Sequence, residues 1–436
     1  MKKKMVSVLC GIMACTMLVA CGTNPNKGKE TKNSEAVSTE DKNVDNNTNN
    51  NETESTLSGK IVIATNMTNV VDTTLAAMAN EFMAAHPGTT IEYEGIKDYD
   101  SVISTRVSSG EAPDIFLVID GMTTDTLDDY FLPLDGLDIK WDDIYFSTQN
   151  TGSDGKIYAI ADSVNYAGFV YNKAAFREAG VEVPTTKEEF FTVCEKLKEV
   201  GITPVGTAFK DVWPIYPWVG WDIAQINING NAKGKNLYLG SNEIFDTTMV
   251  ESMGTIRELY QKGFLEADIM SANWDQLKVD LSSGKTAMYY SESWLPAQIV
   301  EGGAAAEDVG MFPYPGSKGV YMSSGKSYGI SKDCKNPELA MAYLKFMLED
   351  GRHAKAISTL PADKTSKIQD SFVAELLSYG VSAVENEVTD PEFDKLRNKI
   401  ELDEQSLLMT YVMEKDDAAA QSILDGWNEK WVAAQK

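Results

Sequence analysis

Residues Ile115 to Ile119 read Ile-Phe-Leu-Val-Ile, an apolar run with no polar position in it. A strand built from that run has no face left for water, so it belongs inside a parallel sheet covered on both sides. The surrounding patterns agree. Lys60-Ile61-Val62-Ile63-Ala64 predicts a short buried strand. Leu75, Met78, Ala79, Phe82 and Met83 then recur at helical spacing, and His86-Pro87-Gly88 stops them. Ile91 and Tyr93 alternate with Glu92 and Glu94 as a second strand. Asn336-Pro337-Glu338 predicts a helix start, with a capping side chain, proline in the first turn and an acid at the positive dipole end. It leads into an apolar face of Leu339, Ala340, Tyr343, Leu344 and Met347. Alternating strands and helices of this kind give an α/β architecture with open sheets.

The N-terminus carries an address. Lys2, Lys3 and Lys4 precede an uncharged, largely apolar run from Met5 to Val19, the pattern of a secretory signal over residues 1–20. The run is too short for a comfortable membrane span. Leu18-Val19-Ala20-Cys21-Gly22 resembles the bacterial lipobox, which makes Cys21 the expected lipidation site and the outer face of the cell membrane the expected location. Residues 22–58 hold nine asparagines and no aromatic residue, so 21–58 is read as a lipidated cysteine on a disordered tether.

About 380 residues remain, enough for two lobes with separate cores. Without the signal lysines the chain has 36 basic against 65 acidic side chains, a net charge near −29. Nucleic acid and anionic membrane surfaces are therefore excluded as partners. Once Cys10, Cys15 and Cys21 are assigned to the signal and the anchor, only Cys194 and Cys334 could pair. Cys194 falls with Phe190, Val193 and Leu197 at helical spacing, which favours a buried thiol over a bridge.

Several blocks, in order, are similar to the family 1 extracellular solute-binding proteins of sugar importers, the maltose-binding-protein-like class. They are Phe82 to Gly88 with Ile91, Ser109-Gly110-Glu111-Ala112-Pro113-Asp114-Ile115, and Gly155-Lys156-Ile157-Tyr158. Val170-Tyr171-Asn172-Lys173, Phe176, Ala179-Gly180 and Pro184-Thr185-Thr186 follow. Gly284-Lys285-Thr286-Ala287-Met288-Tyr289 with Trp294, and Gly329-Ile330-Ser331 with Asn336-Pro337, complete the set. Lys187 stands where the family usually has tryptophan, and Ala161 where it usually has proline. The resemblance implies two α/β lobes joined by a hinge crossed more than once, with a ligand held between them. Residues 59–164 plus about 313–352 would form the first lobe, and about 165–312 plus 353–436 the second. It further implies a monomer that closes on a carbohydrate and delivers it to the permease subunits of an ABC transporter, without a cofactor or metal.

In open α/β sheets the cleft lies beyond the carboxyl ends of the strands. That rule selects Asn66 and Thr68, Asp120, Asp162 with Asn165, and Glu292 with Trp294. Sugars present hydroxyls around flat C–H faces, so carboxylates, amides and aromatic rings are the fitting partners. The segment from Lys210 to Trp221 packs three of the eight tryptophans around two prolines that exclude a regular helix or central strand. Trp218 and Trp221 suit either a hydrophobic plug or the cleft, with Trp221 carried forward as a candidate. Asp211 and Trp213 are assigned to the cleft because Lys-Asp-x-Trp resembles a sugar-site segment of the family. Trp427 and Trp431, four apart, read as core, and Trp141 and Trp274 stay unassigned.

Catalysis has little to build on. The chain has two histidines, His86 in a turn signature and His353 near the expected hinge, so neither a metal cluster nor a nucleophile–histidine pair is easily assembled. Carboxylates alone cannot exclude a glycosidase, but the resemblance points to binding. A peptide or a polyamine is the alternative cargo, since the many acids would suit a cation. Gly284-Lys285-Thr286 is not a phosphate loop, because Val279 stands where the motif requires glycine.

Overall fold

The structure, a computed structural model, describes residues 57–436. The expected signal, Cys21 and the tether as far as residue 56 lie outside the described residues. No helix among the described residues is long and apolar enough to cross a membrane.

Strands β1 (Gly59–Thr65), β2 (Thr89–Gly95), β3 (Ile115–Leu117), β4 (Ala159–Ala161) and β10 (Ser327–Ile330) make the first sheet, in the order β2-β1-β3-β10-β4. The Ile115–Ile119 run supplies β3, buried as its composition requires. Its neighbours differ in direction: β1 is parallel to it and β10 antiparallel. The helices Ala76–Ala85 and Pro337–Leu348 cover this sheet, and Phe82 meets Tyr343 edge to face with ring centroids 5.0 Å apart. Asn336 sits at the expected helix start but does not cap it. Its side-chain amide instead donates to the Lys60 carbonyl at 2.8 Å, tying that helix to β1.

The second sheet contains β5 (Val164–Asn172), β6 (Thr203–Val205), β7 (Thr286–Glu292), β8 (Val309–Phe312), β9 (Val320–Ser324) and β11 (Ala383–Glu385). Its order is β11-β9-β5-β7-β6, with β8 also paired to β5. Every residue of β5 is buried, and Phe169 at its centre stacks on Phe312 at 5.3 Å and meets Phe190 and Tyr290 at 5.1 Å. Truncating such a ring to alanine costs about 3–5 kcal/mol, so this cluster anchors the lobe. Cys194 is buried on the helix Lys187–Glu199 among Phe190, Val193 and Leu197, and both Cys194 and Cys334 are free thiols. Trp431 is fully buried in the same core with its indole N–H on the Tyr238 carbonyl.

The chain passes between the lobes three times. It crosses from β4 to β5 at Asp162-Ser163, and back from β9 to β10 at Gly325-Lys326. It crosses again after the helix Arg352–Ala356, where the Leu360 carbonyl accepts the Val164 N–H at 2.8 Å. The first two crossings press together so closely that a Cβ on Gly325 would overlap Ser163 Oγ and Asp162 Oδ1. The sequence put the return to the first lobe near residue 313. Because β9 pairs with β5, the return comes only at Gly325.

Candidate functional site

A cleft of about 1120 Å³ lies between the lobes, over the ends of their strands. Its floor is built by register. On β5, Asn165 pairs directly with Ser323 of β9, and two residues on Ala167 pairs with Glu292 of β7. Directly opposed residues share a face of a sheet, so Ser323, Asn165 and Glu292 present their side chains to one surface. Glu292 Oε1 accepts the Ser323 hydroxyl at 2.6 Å, and Oε2 accepts the Trp294 indole N–H at 2.9 Å. Burial pushes the Glu292 carboxyl above its ordinary range, and these two donors oppose that rise. Asn165 is only 6% exposed, and its Oδ1 has no hydrogen-bond partner. A buried amide oxygen left unpaired costs about 1–3 kcal/mol, so a donor arriving from a ligand would be welcome there.

Above the floor stands a wall of indoles, in which Trp213 and Trp294 line the cleft and Trp274 supports them. Trp213, Trp274 and Trp294 contact one another with ring centroids 4.8, 6.2 and 5.7 Å apart, all at steep mutual angles. Trp213 is 48% exposed. Local backbone explains how so large a ring faces solvent. Val212 has φ 64° and ψ −64°, a left-handed turn that a β-branched residue rarely adopts. Pro214 then starts a short 3-10 turn, Trp213–Ile215. Asp211 accepts the backbone N–H of Trp274, locking this turn to the helix Trp274–Ser282.

The structure gathers six of the sequence candidates at the cleft: Asn66, Asp120, Asn165, Trp213, Glu292 and Trp294. Four others lie elsewhere. Thr68 is exposed beside the cleft, its backbone N–H turned back to the Asn66 carbonyl. Asp211 acts behind the indole wall. Asp162 is buried in the hinge, accepting the Ser163 hydroxyl at 2.7 Å and lying 3.3 Å from His353 Nε2. Trp221 is core: it is 1% exposed, donates to the Ile244 carbonyl and packs on Phe245 and Phe393. Tyr216, Tyr321, Lys235 and Asp222 also line the cleft, unforeseen in the sequence. Tyr216 had a signal, since it follows Trp213 by one helical turn in the same aromatic segment. Lys235 lies 3.7 Å from Asp222 and forms an ion pair that no local pattern announces.

A family model described as bacterial extracellular solute-binding protein matches residues 64–352, more than half of the chain. The chain belongs to this family. The solute-binding protein is 25% identical over 296 residues to the multiple sugar-binding protein of Streptococcus mutans, covering 64% of this chain and 68% of the relative. It is also 25% identical over 332 residues to an alpha-glucosides-binding periplasmic protein of Rhizobium meliloti, covering 69% and 68%. Among solved structures, a manno-oligosaccharide-specific solute-binding protein of Bifidobacterium animalis in complex with mannotriose superposes with a TM-score of 0.74 at 22% identity. That match covers 87% of this chain and 95% of the other. A solute-binding protein in complex with raffinose gives 0.69 at 19% identity, covering 87% and 100%. These solved structures share the two-lobed fold.

Two departures from the family pattern are structurally mild in this solute-binding protein. Lys187 is the first residue of its helix, whose start is fixed by the reciprocal Thr186–Glu189 capping box. Ala161 ends β4, opposite Ser327. The lobes also meet beside the cleft, where Lys395 of the second lobe lies 3.4 Å from Asp125 of the first.

Proposed function

We propose that this protein captures an oligosaccharide outside the cell and presents it, enclosed between its lobes, to the permease subunits of an ABC-type importer. The observation that carries the reading is the joining, in one interlobe cleft, of an indole wall with an unpaired buried amide oxygen. The indoles would cover the C–H face of a sugar ring, while Asn165, Glu292, Asp120 and Asn66 would meet its hydroxyls. Tyr216 and Tyr321 extend the apolar surface along the second lobe. Family members are binding proteins, and relatives named for multiple sugars, alpha-glucosides, mannotriose and raffinose support a glycan cargo. A ligand touching both lobes favours the closed arrangement over the open one, and the closed shape is the signal to the permease. The protein acts as a monomer, held at the outer face by a lipid on Cys21.

A thermal-shift screen tests this, because a ligand that binds the folded state raises the melting temperature by mass action. Neutral di- and trisaccharides should give the large shifts. Shifts from polyamines or short peptides with none from sugars would overturn the glycan reading.

A further inference from the structure

We propose that the cleft sorts glycans by charge, admitting neutral and amine-bearing sugars and rejecting acidic ones, with Glu292 as the discriminating residue. The inference rests on the glycan reading and names the class within it. Glu292 has only neutral partners, the Trp294 indole N–H and the Ser323 hydroxyl, each on a different carboxylate oxygen. No cation forms an ion pair with it among the described residues. The second-lobe lysine of the cleft, Lys235, is already committed to Asp222, and Lys97 and Lys326 are exposed at the rim. The titratable groups around Glu292 are phenols, Tyr216, Tyr289, Tyr290 and Tyr321, whose hydroxyls burial raises and keeps neutral. Five carboxyl groups and three lysines line the whole cleft.

An ionised carboxylate has about four acceptor positions, and the two fixed donors occupy one on each oxygen. The remaining positions suit a sugar hydroxyl, and suit an ammonium better, because a charge-assisted hydrogen bond is the stronger one. An ammonium set there would also lie beside the Trp294 ring, a favourable place for a cation. A uronate carboxylate would bring a second negative charge to a partly buried one with no countercharge between them, where repulsion is least screened.

The test begins with the neutral trisaccharide that binds tightest from a panel of mannotriose, maltotriose and raffinose. Titration calorimetry then compares it with its own 6-carboxyl and 6-amino derivatives. Wild-type protein should bind the 6-carboxyl form at least tenfold more weakly than the parent, and the 6-amino form no more weakly than the parent. Glu292→Gln should weaken the parent modestly yet narrow the gap between parent and 6-carboxyl form at least threefold. A second measurement needs no variant: because burial raises the Glu292 carboxyl, the wild-type gap should shrink as the pH is lowered. Equal affinity for parent and 6-carboxyl form, or a gap that Glu292→Gln and acid both leave unchanged, would overturn the selectivity while leaving the glycan reading intact. If no sugar in the panel bound, both would fall together.

Discussion

Replacing Trp213 by alanine should separate binding from folding. Trp213 is 48% exposed, and a tryptophan has a surface of about 250 Å², so about 120 Å² of it faces the cleft. A sugar face covering half of that removes about 60 Å² from water, worth about 1.5 kcal/mol at ~25 cal/mol/Å². Trp213→Ala should therefore raise the dissociation constant about tenfold. Its cost to the ligand-free fold should be small. What it loses is chiefly edge contact with Trp274 and Trp294, in the range of about 0.5–1.5 kcal/mol for an aromatic pair. Trp221→Ala is the matched control, because Trp221 is buried on all sides and its loss should cost about 3–5 kcal/mol of stability. Calorimetric titration with the tightest sugar, beside melting curves of the ligand-free proteins, reads both quantities. The reasoning fails if Trp213→Ala melts as low as Trp221→Ala and still binds with full affinity.

Trp294→Ala should weaken sugar binding at least tenfold. It should also lower the ligand-free melting temperature, since Trp294 packs in the indole wall and donates to Glu292. Lys395→Glu sets like charges face to face beside the cleft and should weaken ligand binding by no more than about fivefold, with Asp125→Lys in the same chain restoring it. An effect that the double variant fails to reverse would refute a charge contact between the lobes. Burial raises the Tyr166 and Tyr314 hydroxyls to about 12. The stability that these neutral phenols contribute is full below the unfolded value near 10 and is lost as pH rises toward 12. Absorbance at 295 nm should thus show a late tyrosinate phase that coincides with loss of circular dichroism, and a single early phase would contradict it. Cys21→Ala should release the protein from cells without changing ligand affinity, as fractionation and calorimetry would show.

Much of the fold was legible because local pattern and global burial agree. The strand at Lys60 to Ala64, the stop at His86-Pro87-Gly88 and the all-apolar β3 each state their own environment. The site was legible only in part. The rule that binding residues follow strands selects Asp162 and Asn165 alike; what separates them is His353, far along the chain, which pairs with Asp162 at the hinge. Trp213 and Trp221 are the same residue eight positions apart in one segment. The turn at Val212 exposes the first, while Phe393, from the last part of the chain, seals the second. Trp274 carries no local mark of function, and it joins the indole wall because Asp211 holds its helix there. Tertiary partners decided each case that the sequence left open.

The place of β10 governs the order in which this chain can become compact. β10 lies between β3 and β4, with Tyr328 opposite both Leu117 and Ile160. Until it is present, β3 offers a bare edge and β4 lacks the strand it pairs with. A growing or threading chain that stops short of residue 327 therefore holds an incomplete first sheet, whatever the second sheet has done. Contacts that span so much sequence are slow to form, and a bare strand edge invites wrong partners. The first lobe thus waits for the helix that ends at Ala356, and the second waits longer still, until Trp431 reaches its core. Most of the polypeptide must therefore arrive before either half can take its final shape.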